Sequence, residues 1–363
     1  MEICEKNKCT GCMACMNACP KGSISMQYDD TYELHPIISD GCVSCGKCRM
    51  VCPINNTDKN KQVSKICYAA YSLKDRDGTS SGGLATSISK YVLQYGGRVC
   101  GCVFDGTVHH IVANDIMAVD AMRGSKYVQS NIGYCYDEIK EIVKDHLCLF
   151  IGTPCQVAAL RNIVGESENL ICIDLICHGV PSPHFLNVVL QDFNEVNSIS
   201  FRNKSDFSLK INGLTTARAE KYMTAFLHGM SFRESCYQCP FAENSRVGDL
   251  TIGDFWGIEH FTETGKGVSC VLVNTEKGKQ IINAIRDELY VEERSFEEAY
   301  RENPQLKQPS KKHKNRSRFI NYLLSGKKFE YSVAKTMKKE IIKNWIKKRY
   351  IVKTLLELKS RRR

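Results

Sequence analysis

From about residue 66 onward, short apolar runs alternate with amphipathic stretches. The runs ICYAAYSL, RVCGCVF, HLCLFIG and NLICIDLICHG are almost continuously apolar and predict buried strands. The stretches SSGGLATSISKYVLQYGG, YCYDEIKEIVKD, PCQVAALRNIVG and PHFLNVVLQDFNEV carry apolar residues at helical spacing. Strands without a polar face that are separated by helices are typical of parallel pairing, with both faces of the sheet covered. The pattern therefore predicts an α/β body with a largely parallel sheet.

The first sixty residues follow a different pattern, in which one cysteine motif occurs twice. CTGCMACMNACP begins at Cys9 and CVSCGKCRMVCP begins at Cys42. Both read C-x2-C-x2-C-x3-C-P, the spacing of two-cluster bacterial ferredoxins, in which the last cysteine of each run binds the other cluster. The motif predicts an α+β, ferredoxin-like module with two 4Fe-4S clusters. The first would be held by Cys9, Cys12, Cys15 and Cys52, and the second by Cys42, Cys45, Cys48 and Cys19.

The alternatives for these cysteines are a zinc site or thiols without a ligand. Zinc sites usually separate two C-x2-C pairs by a longer gap, so the dense spacing favours clusters.

The start of the chain has no apolar signal segment and no run is long enough for a membrane helix, which predicts a cytoplasmic protein with reduced thiols. The cysteines outside the proposed sites are predicted to be core residues: Cys4, Cys67, Cys100, Cys102, Cys135, Cys148, Cys172 and Cys270.

A third set of cysteines is associated with the predicted sheet. Cys155 and Cys177 follow neighbouring strands, and Cys236 and Cys239 form a later C-x2-C pair. Because ligands gather at the carboxyl ends of parallel strands, we expect the four thiols to meet there and bind a third cluster, with zinc as the main alternative. The other interpretation is that Cys155 and Cys177 are small buried residues.

The loop before the first predicted helix of the body is rich in serine and glycine. Backbone N–H groups at such a helix start point along the positive end of the helix dipole, which suits a phosphate. The candidate contacts are Ser81, Gly82, Gly83 and Thr86. An N-cap with flexible glycines explains the same residues without a ligand.

Charge is distributed unevenly along the chain. The composition, 43% hydrophobic and 25% charged, is that of a globular protein with a net charge of +10. Residues 301–363 carry 21 Lys and Arg against 4 Asp and Glu, so this segment alone has a charge of +17. It also has an apolar helical stripe, formed by Met337, Ile341, Trp345, Val352 and Leu356.

A basic amphipathic tail of this kind has several possible roles. It would bind an anionic membrane surface peripherally, dock on an acidic body or partner, or form a solvated helix. Nucleic acid is not expected as a partner, because no recognition fold accompanies the charge.

Seven segments occur in an order that resembles a known family. They are SSGGLATS, KYVQS, GTPCQVAALR, DLICHGVPSP, FRESCYQCPFA, GDFWG and NPQLKQPS, within a match from about Cys9 to Pro309. This order resembles the coenzyme F420 hydrogenase/dehydrogenase beta-subunit family, in a free-standing form with an N-terminal two-cluster ferredoxin domain. Ordered motifs are far more specific than any one of them.

The resemblance implies an FAD in the α/β body and clusters that exchange single electrons with it. It implies that Ser81, Gly82, Gly83 and Thr86 contact the flavin, together with Lys126, Tyr127, Gln129, Ser130, Thr153 and Pro154. Cys155, Cys177, Cys236 and Cys239 match family cysteines. The predicted divisions are the ferredoxin domain (1–62), two segments of the flavin-binding body (63–133 and 134–304) and the basic helical tail (305–363).

These observations predict an iron-sulfur flavoprotein oxidoreductase. We expect it to pass electrons between a ferredoxin-like carrier and an organic or deazaflavin-type substrate, through 4Fe-4S clusters and FAD. The alternative is an electron-relay subunit with no substrate of its own, feeding a partner enzyme, for which surface-polysaccharide synthesis is one setting. The sequence assigns no catalytic residue.

Overall fold

The N-terminal module is built from two short helices and a hairpin. The computed structural model describes residues 2–202, 206–261 and 264–346. Helices α1 (Ala14–Asn17) and α2 (Lys47–Met50) each hold the middle of one cysteine motif. Between them, β1 (Ile24–Tyr28) pairs antiparallel with β2 (Leu34–Ile38). This is the α+β module that the repeated motif predicts.

The body is organised around an eight-stranded mixed sheet. Its order is β14-β4-β13-β12-β8-β7-β5-β6, with the strands β4 (Ile66–Ser72), β5 (Arg98–Phe104), β6 (Val108–Ala113), β7 (Cys148–Gly152), β8 (Leu170–Leu175), β12 (Leu250–Asp254), β13 (Ser269–Val273) and β14 (Leu289–Glu293). The shorter strands are β3 (Gln62–Val63), β9 (Ile199–Ser200), β10 (Lys210–Ile211) and β11 (Ser245–Arg246). The pair β3–β11 is antiparallel and joins the linker after the N-terminal module to the body.

The centre of the large sheet is parallel and its margins are antiparallel. Strands β5, β7, β8 and β12 pair in parallel, whereas β6, β13, β4 and β14 join through antiparallel pairs. The predicted parallel sheet is therefore confirmed for its middle. Strands β4 and β5 flank α3 in the sequence, but four other strands separate them in the sheet.

Helices cover both faces of this sheet. The helices are α3 (Leu84–Gln94), α4 (Ile116–Ala121), α5 (Cys135–Ile142), α6 (Pro154–Val164), α7 (Pro183–Leu190), α8 (Ala217–Leu227), α9 (Glu276–Ala284), α10 (Phe296–Glu302), α11 (Arg316–Leu324) and α12 (Phe329–Thr336). On β7, Cys148 and Phe150 pack against α5 and α6, whereas Leu149 faces α3. Alternating side chains thus enter two apolar layers, which explains why these strands lack a polar face.

The segment that begins the basic tail packs into a separate apolar core. Phe319, Phe329, Val333 and Met337 are buried against α7 and α8. Residues 338–346 continue as helix, with Ile341 half-buried and Trp345 55% exposed. Val352 and Leu356 of the predicted stripe lie outside the described residues. The first part of the tail therefore packs as part of the body. The possible roles as a membrane-binding, partner-docking or solvated helix apply only to the residues that follow this packed part.

No helix among the described residues has the length and apolarity that crossing a bilayer requires.

Replacing Phe319 with alanine tests the packing of α11. Because the Phe319 ring is fully buried, we expect F319A to lower the free energy of unfolding by about 3–5 kcal/mol. The matched control on the same helix is Leu324→Ala, whose side chain is 55% exposed and whose loss should change stability by less than about 1 kcal/mol. Urea unfolding followed by circular dichroism measures both, and equal effects would contradict this packing.

Candidate functional site

The thiols of the predicted second cluster lie together at the surface. Cys19, Cys42, Cys45 and Cys48 line one small depression, with Lys21 and Lys47 beside them. Cys19 comes from the first motif and reaches this group because α1 ends just before it. Cys45 is exposed and Cys48 is buried. The group is thus partly open to solvent, mainly at Cys45.

The thiols of the predicted first cluster are deeper. Cys9, Cys12, Cys15 and Cys52 are all buried. Burial raises the pKa of Cys12 well above its usual range, and the neighbouring charges of Cys52 and Cys15 add to this effect. Thiolates in a buried site repel one another, and bound iron would compensate their negative charge. The four cysteines are therefore a suitable donor set for iron, which binds thiolates.

One cysteine next to this group was predicted to be an ordinary core residue. Cys4 is only partly buried and contacts both Cys9 and Cys52. Its hydrogen bond is the largest cause that lowers the pKa of Cys9 to about 4, and it also lowers the pKa of Cys52 to about 7. Cys4 lies outside the repeated motif, so its spacing gave no signal of this position.

The third set of cysteines is assembled from three separate segments. Cys155 lies in the first turn of α6, and Cys177 follows β8. Cys236 lies in a short 3-10 turn at Glu234–Gln238, and Cys239 is the C-cap of that turn. Burial raises the pKa of Cys177, and the charges of Cys236, Cys155 and Cys239 raise it further. The structure therefore brings the four predicted thiols into mutual electrostatic contact.

Three unpartnered donors lie in the segment that carries Cys236 of this third set. Ser231 Oγ, Arg233 Nε and Ser235 Oγ are buried and have no hydrogen-bond partner among the described residues. Buried polar groups are normally paired, so three unused donors beside Cys236 suit an anionic sulfur cluster better than an apolar core. No three His, Cys, Asp or Glu side chains of the described chain converge as ligands of one metal ion. A cluster makes a different demand, because each thiolate binds a separate iron.

A large open cavity of about 970 Å³ lies at the carboxyl edge of the parallel strands. Its wall includes the ends of β7, β8 and β12, the start of α3 and the segment 122–128. Cys177 of the third set is part of this wall. The size is at the upper end of ordinary cofactor and substrate pockets, which measure roughly 300–1,000 Å³.

Seven of the ten predicted flavin contacts lie on the cavity wall. They are Ser81, Gly83, Thr86, Lys126, Tyr127, Ser130 and Thr153. The ammonium of Lys126 is, however, already bound, because it donates to the backbone oxygens of Ala121, Met122 and Arg123. Burial lowers its pKa to about 8. Lys126 therefore shapes the wall and caps α4.

The other three predicted contacts lie outside the wall, each for a local reason. Gly82 faces the sheet, where its N–H donates to Ser269 Oγ at 3.0 Å. Pro154 occupies the first position of α6, behind the capping residue Thr153. Gln129 points towards the N-terminal module, where its amide donates to Thr10 O and Gly11 O, both at 3.2 Å. The structure therefore places these three residues away from the cavity wall.

The start of α3 opens on the cavity without a side-chain cap. Its N-cap is Gly83, at φ +85°, and no side chain caps the helix. A β-carbon at Gly83 would lie 2.4 Å from Asp75 O. Glycine is therefore required by both the backbone conformation and the space. Free N–H groups and the helix dipole make this end a suitable site for an anion.

Several wall residues were missed by the sequence analysis. Asp254 and Trp256 both line the cavity, where Arg202 pairs with Asp254 and lies over the ring of Trp256. The wall also contains His110, Arg123, Asn303 and Gln305, each with one buried polar atom that has no partner among the described residues. The motifs GDFWG and NPQLKQPS were the available signal for Trp256, Asn303 and Gln305.

Two family models match the chain. Residues 8–56 match the 4Fe-4S dicluster domain, and residues 145–299 match the C terminus of the coenzyme F420 hydrogenase/dehydrogenase beta subunit. The resemblance found in the motifs is thereby confirmed.

Three curated proteins are similar to this chain or to part of it. A subunit of the F(420)H(2) dehydrogenase of Methanosarcina mazei is 21% identical over 80% of this chain and 86% of that protein. "Coenzyme F420-dependent sulfite reductase" of Methanocaldococcus jannaschii is 22% identical over 78% of this chain, which spans 47% of that protein. An uncharacterized ferredoxin-like protein of Haemophilus influenzae is 37% identical over 62 residues.

A solved structure of the F420-reducing [NiFe] hydrogenase complex from Methanosarcina barkeri contains a similar chain. The two are 17% identical with a TM-score of 0.48, over 78% of this chain and 94% of that one.

Gly83→Ala tests the tight start of α3. Gly78 provides the matched control, because it also has a positive φ but has no atom near its missing β-carbon. We expect G78A to cost about 1 kcal/mol of stability from backbone strain and G83A about 1–3 kcal/mol more from the clash. Thermal unfolding of both variants measures the difference. Equal stability would mean that the contact with Asp75 is absent.

Proposed function

The chain joins a 4Fe-4S dicluster domain to the C-terminal domain of the coenzyme F420 hydrogenase/dehydrogenase beta subunit, and from this premise we propose that it is an iron-sulfur flavoprotein oxidoreductase. It would exchange single electrons with a ferredoxin-like carrier at its surface and act on an organic or deazaflavin-type substrate in the cavity. The observation that carries this proposal is the arrangement of three four-cysteine groups between the surface and the cavity.

The path begins at the surface group. Cys45 is exposed, and lysines lie beside it, which suits docking of an acidic carrier. The second step is short, because Cys48 of the surface group and Cys15 of the buried group are close enough for their charges to interact. The N-terminal module would therefore take up electrons one at a time and pass them inward.

The buried group adjoins the third set of thiols. Cys12 lies in the same apolar cluster as Cys155 and Cys239. Tyr136 is near both Cys12 and Cys155, since the charges of these thiols raise its pKa beyond the effect of burial. Its hydroxyl donates to Gln156 O at 3.1 Å, which fixes the ring and excludes water from this contact. Cys177 then leads from the third set to the cavity wall.

The cavity has features that fit a flavin. The uncapped start of α3, with Ser81, Gly83 and Thr86, would bind its phosphates, and Tyr127, Ser130 and Thr153 would line its ring. A bound flavin supplies two-electron chemistry towards an organic substrate and one-electron exchange towards clusters. The residues of this chain would bind and orient the flavin. The ring of Tyr127 packs on that of Phe226, with ring centroids 4.6 Å apart, and this packing would exclude water from one wall of the cavity.

The breadth of the cavity favours an enzyme over a relay subunit. Beyond the residues assigned to the flavin, the wall continues through Phe207, Trp256, His178 and Lys311. These residues offer aromatic, neutral polar and cationic contacts to a second molecule. Burial lowers the pKa of His178, so its ring is neutral at pH 7. The relay remains the second candidate, because the relative from Methanosarcina mazei is named as a subunit.

Iron, sulfide and flavin contents of anaerobically purified protein test the proposal. We expect about twelve irons, about twelve sulfides and about one FAD per chain. Cys45→Ser and Cys177→Ser should each reduce iron to about eight, because each removes a ligand of a different cluster. The control is Cys67→Ala, a buried core thiol outside all three groups, which should keep the full content.

The outcomes separate the parts of this proposal. About eight irons in the wild type, unchanged by C177S, would remove the third cluster and leave the module intact. Colourless protein without iron or flavin after anaerobic reconstitution would overturn the proposal as a whole. Full cofactor content together with a flavin spectrum that no candidate organic substrate changes would favour the relay subunit.

A further inference from the structure

Arg233 is a buried cation at the contact between the N-terminal module and the body. Its side chain is 1% exposed. It directly precedes the 3-10 turn that carries Cys236, and its guanidinium reaches the loop of the first motif. Arg233 therefore lies between the first predicted cluster and the third.

Two body side chains bind the backbone of the first motif. Arg233 donates to Cys9 O and Leu34 O, both at 3.0 Å, and to Gln129 Oε1 at 3.2 Å. Gln129 in turn donates to the carbonyls of residues 10 and 11. A β-carbon at Gly11 would lie 2.6 Å from Gln129 Nε2 and 2.9 Å from an Arg233 nitrogen. The absence of a side chain at Gly11 is what allows this close approach.

Among the described residues, the positive charge of Arg233 has one ion pair, and that pair is long. Its hydrogen bonds go to neutral oxygens, and the carboxylate of Glu33 is 3.9 Å away and is shared with Arg316. Arginine stays protonated in proteins, and a buried charge that is only weakly paired is costly. A cluster held by four thiolates is anionic, so bound clusters would add counter-charge.

The field of this guanidinium reaches thiols on both sides. Arg233 is close enough to Cys155 and Cys236 of the third set for its charge to act on both thiols. On the other side it donates to the backbone oxygen of Cys9 at 3.0 Å. Its Nε has no partner among the described residues, so one N–H donor remains for sulfur.

We propose that Arg233 is a positioning residue that fixes the first-cluster loop against the body and makes the first and third clusters easier to reduce. This inference rests on the proposed function. One added electron makes a cluster more negative by one charge, and a fixed guanidinium nearby stabilises that reduced form. Cluster two, at the surface, is screened by solvent and should not respond. A single cation would thus make both inner clusters of the electron path easier to reduce.

The test compares reduction potentials of variants by EPR-monitored redox titration of the full chain, with signals assigned through C45S and C177S. Arg233→Met removes the charge, so the midpoint potentials of clusters one and three should become more negative while that of cluster two stays unchanged. Arg233→Lys keeps the charge and should remain closer to the wild type. Glu33→Gln removes the nearby negative charge and should shift the same two potentials in the positive direction.

Each result bears on the proposal. Unchanged potentials in R233M with wild-type iron content, an equal shift of all three clusters, or an R233K shift as large as that of R233M would overturn it. If R233M does not assemble, E33Q decides, since a positive shift of clusters one and three supports the proposal and an unchanged potential contradicts it. Wild-type protein without clusters would instead refute the proposed function, an outcome that iron analysis distinguishes before any titration.

Discussion

The contact between the loop of the first cysteine motif and the body is the interaction on which the rest of the structure depends. Electron transfer needs the two parts to be close and fixed, yet the loop presents only backbone oxygens. Gln129 and Arg233 satisfy those oxygens from the body side. Because Gly11 has no side chain, the donors reach the backbone itself. The module is thus bound through its cluster loop, and the buried thiols lie on the inner side of the contact.

The mixed sheet positions the cavity, at which the proposed electron path ends. Parallel strands β7 and β8 end at the same edge, so the residues that follow them, Thr153 to Cys155 and Cys177, meet there. The antiparallel strand β13 adds Ser269, which binds Gly82 and holds the loop before α3 on the same edge. Cysteines and the start of a helix therefore share one cavity, although they come from distant parts of the sequence. A parallel centre with antiparallel margins makes this convergence possible.

Local spacing explains which features the sequence could predict. The cysteine motifs contain their geometry within twelve residues, so the grouping of Cys19 with Cys42, Cys45 and Cys48 followed from spacing alone. The strands and helices of the body were recognisable from apolar periodicity. The direction of a side chain in a loop is not local, and so Gln129 was placed on the cavity although it points to Gly11. Cys4 and the order of β4 and β5 depend on tertiary packing in the same way.

The basic C-terminal segment also takes part in the contact between the N-terminal module and the body. Arg316 at the start of α11 is buried, donates to Met230 O and lies 3.6 Å from both Glu33 and Glu234. Glu33 also accepts from the backbone N–H of Glu234 at 2.8 Å. The hairpin of the module, the turn that carries Cys236 and the first C-terminal helix therefore converge on one carboxylate. Since α11 and α12 are in turn anchored by Phe319 and Val333, the packing of the C-terminal segment contributes to the position of the first cluster, although its cysteines lie far earlier in the chain.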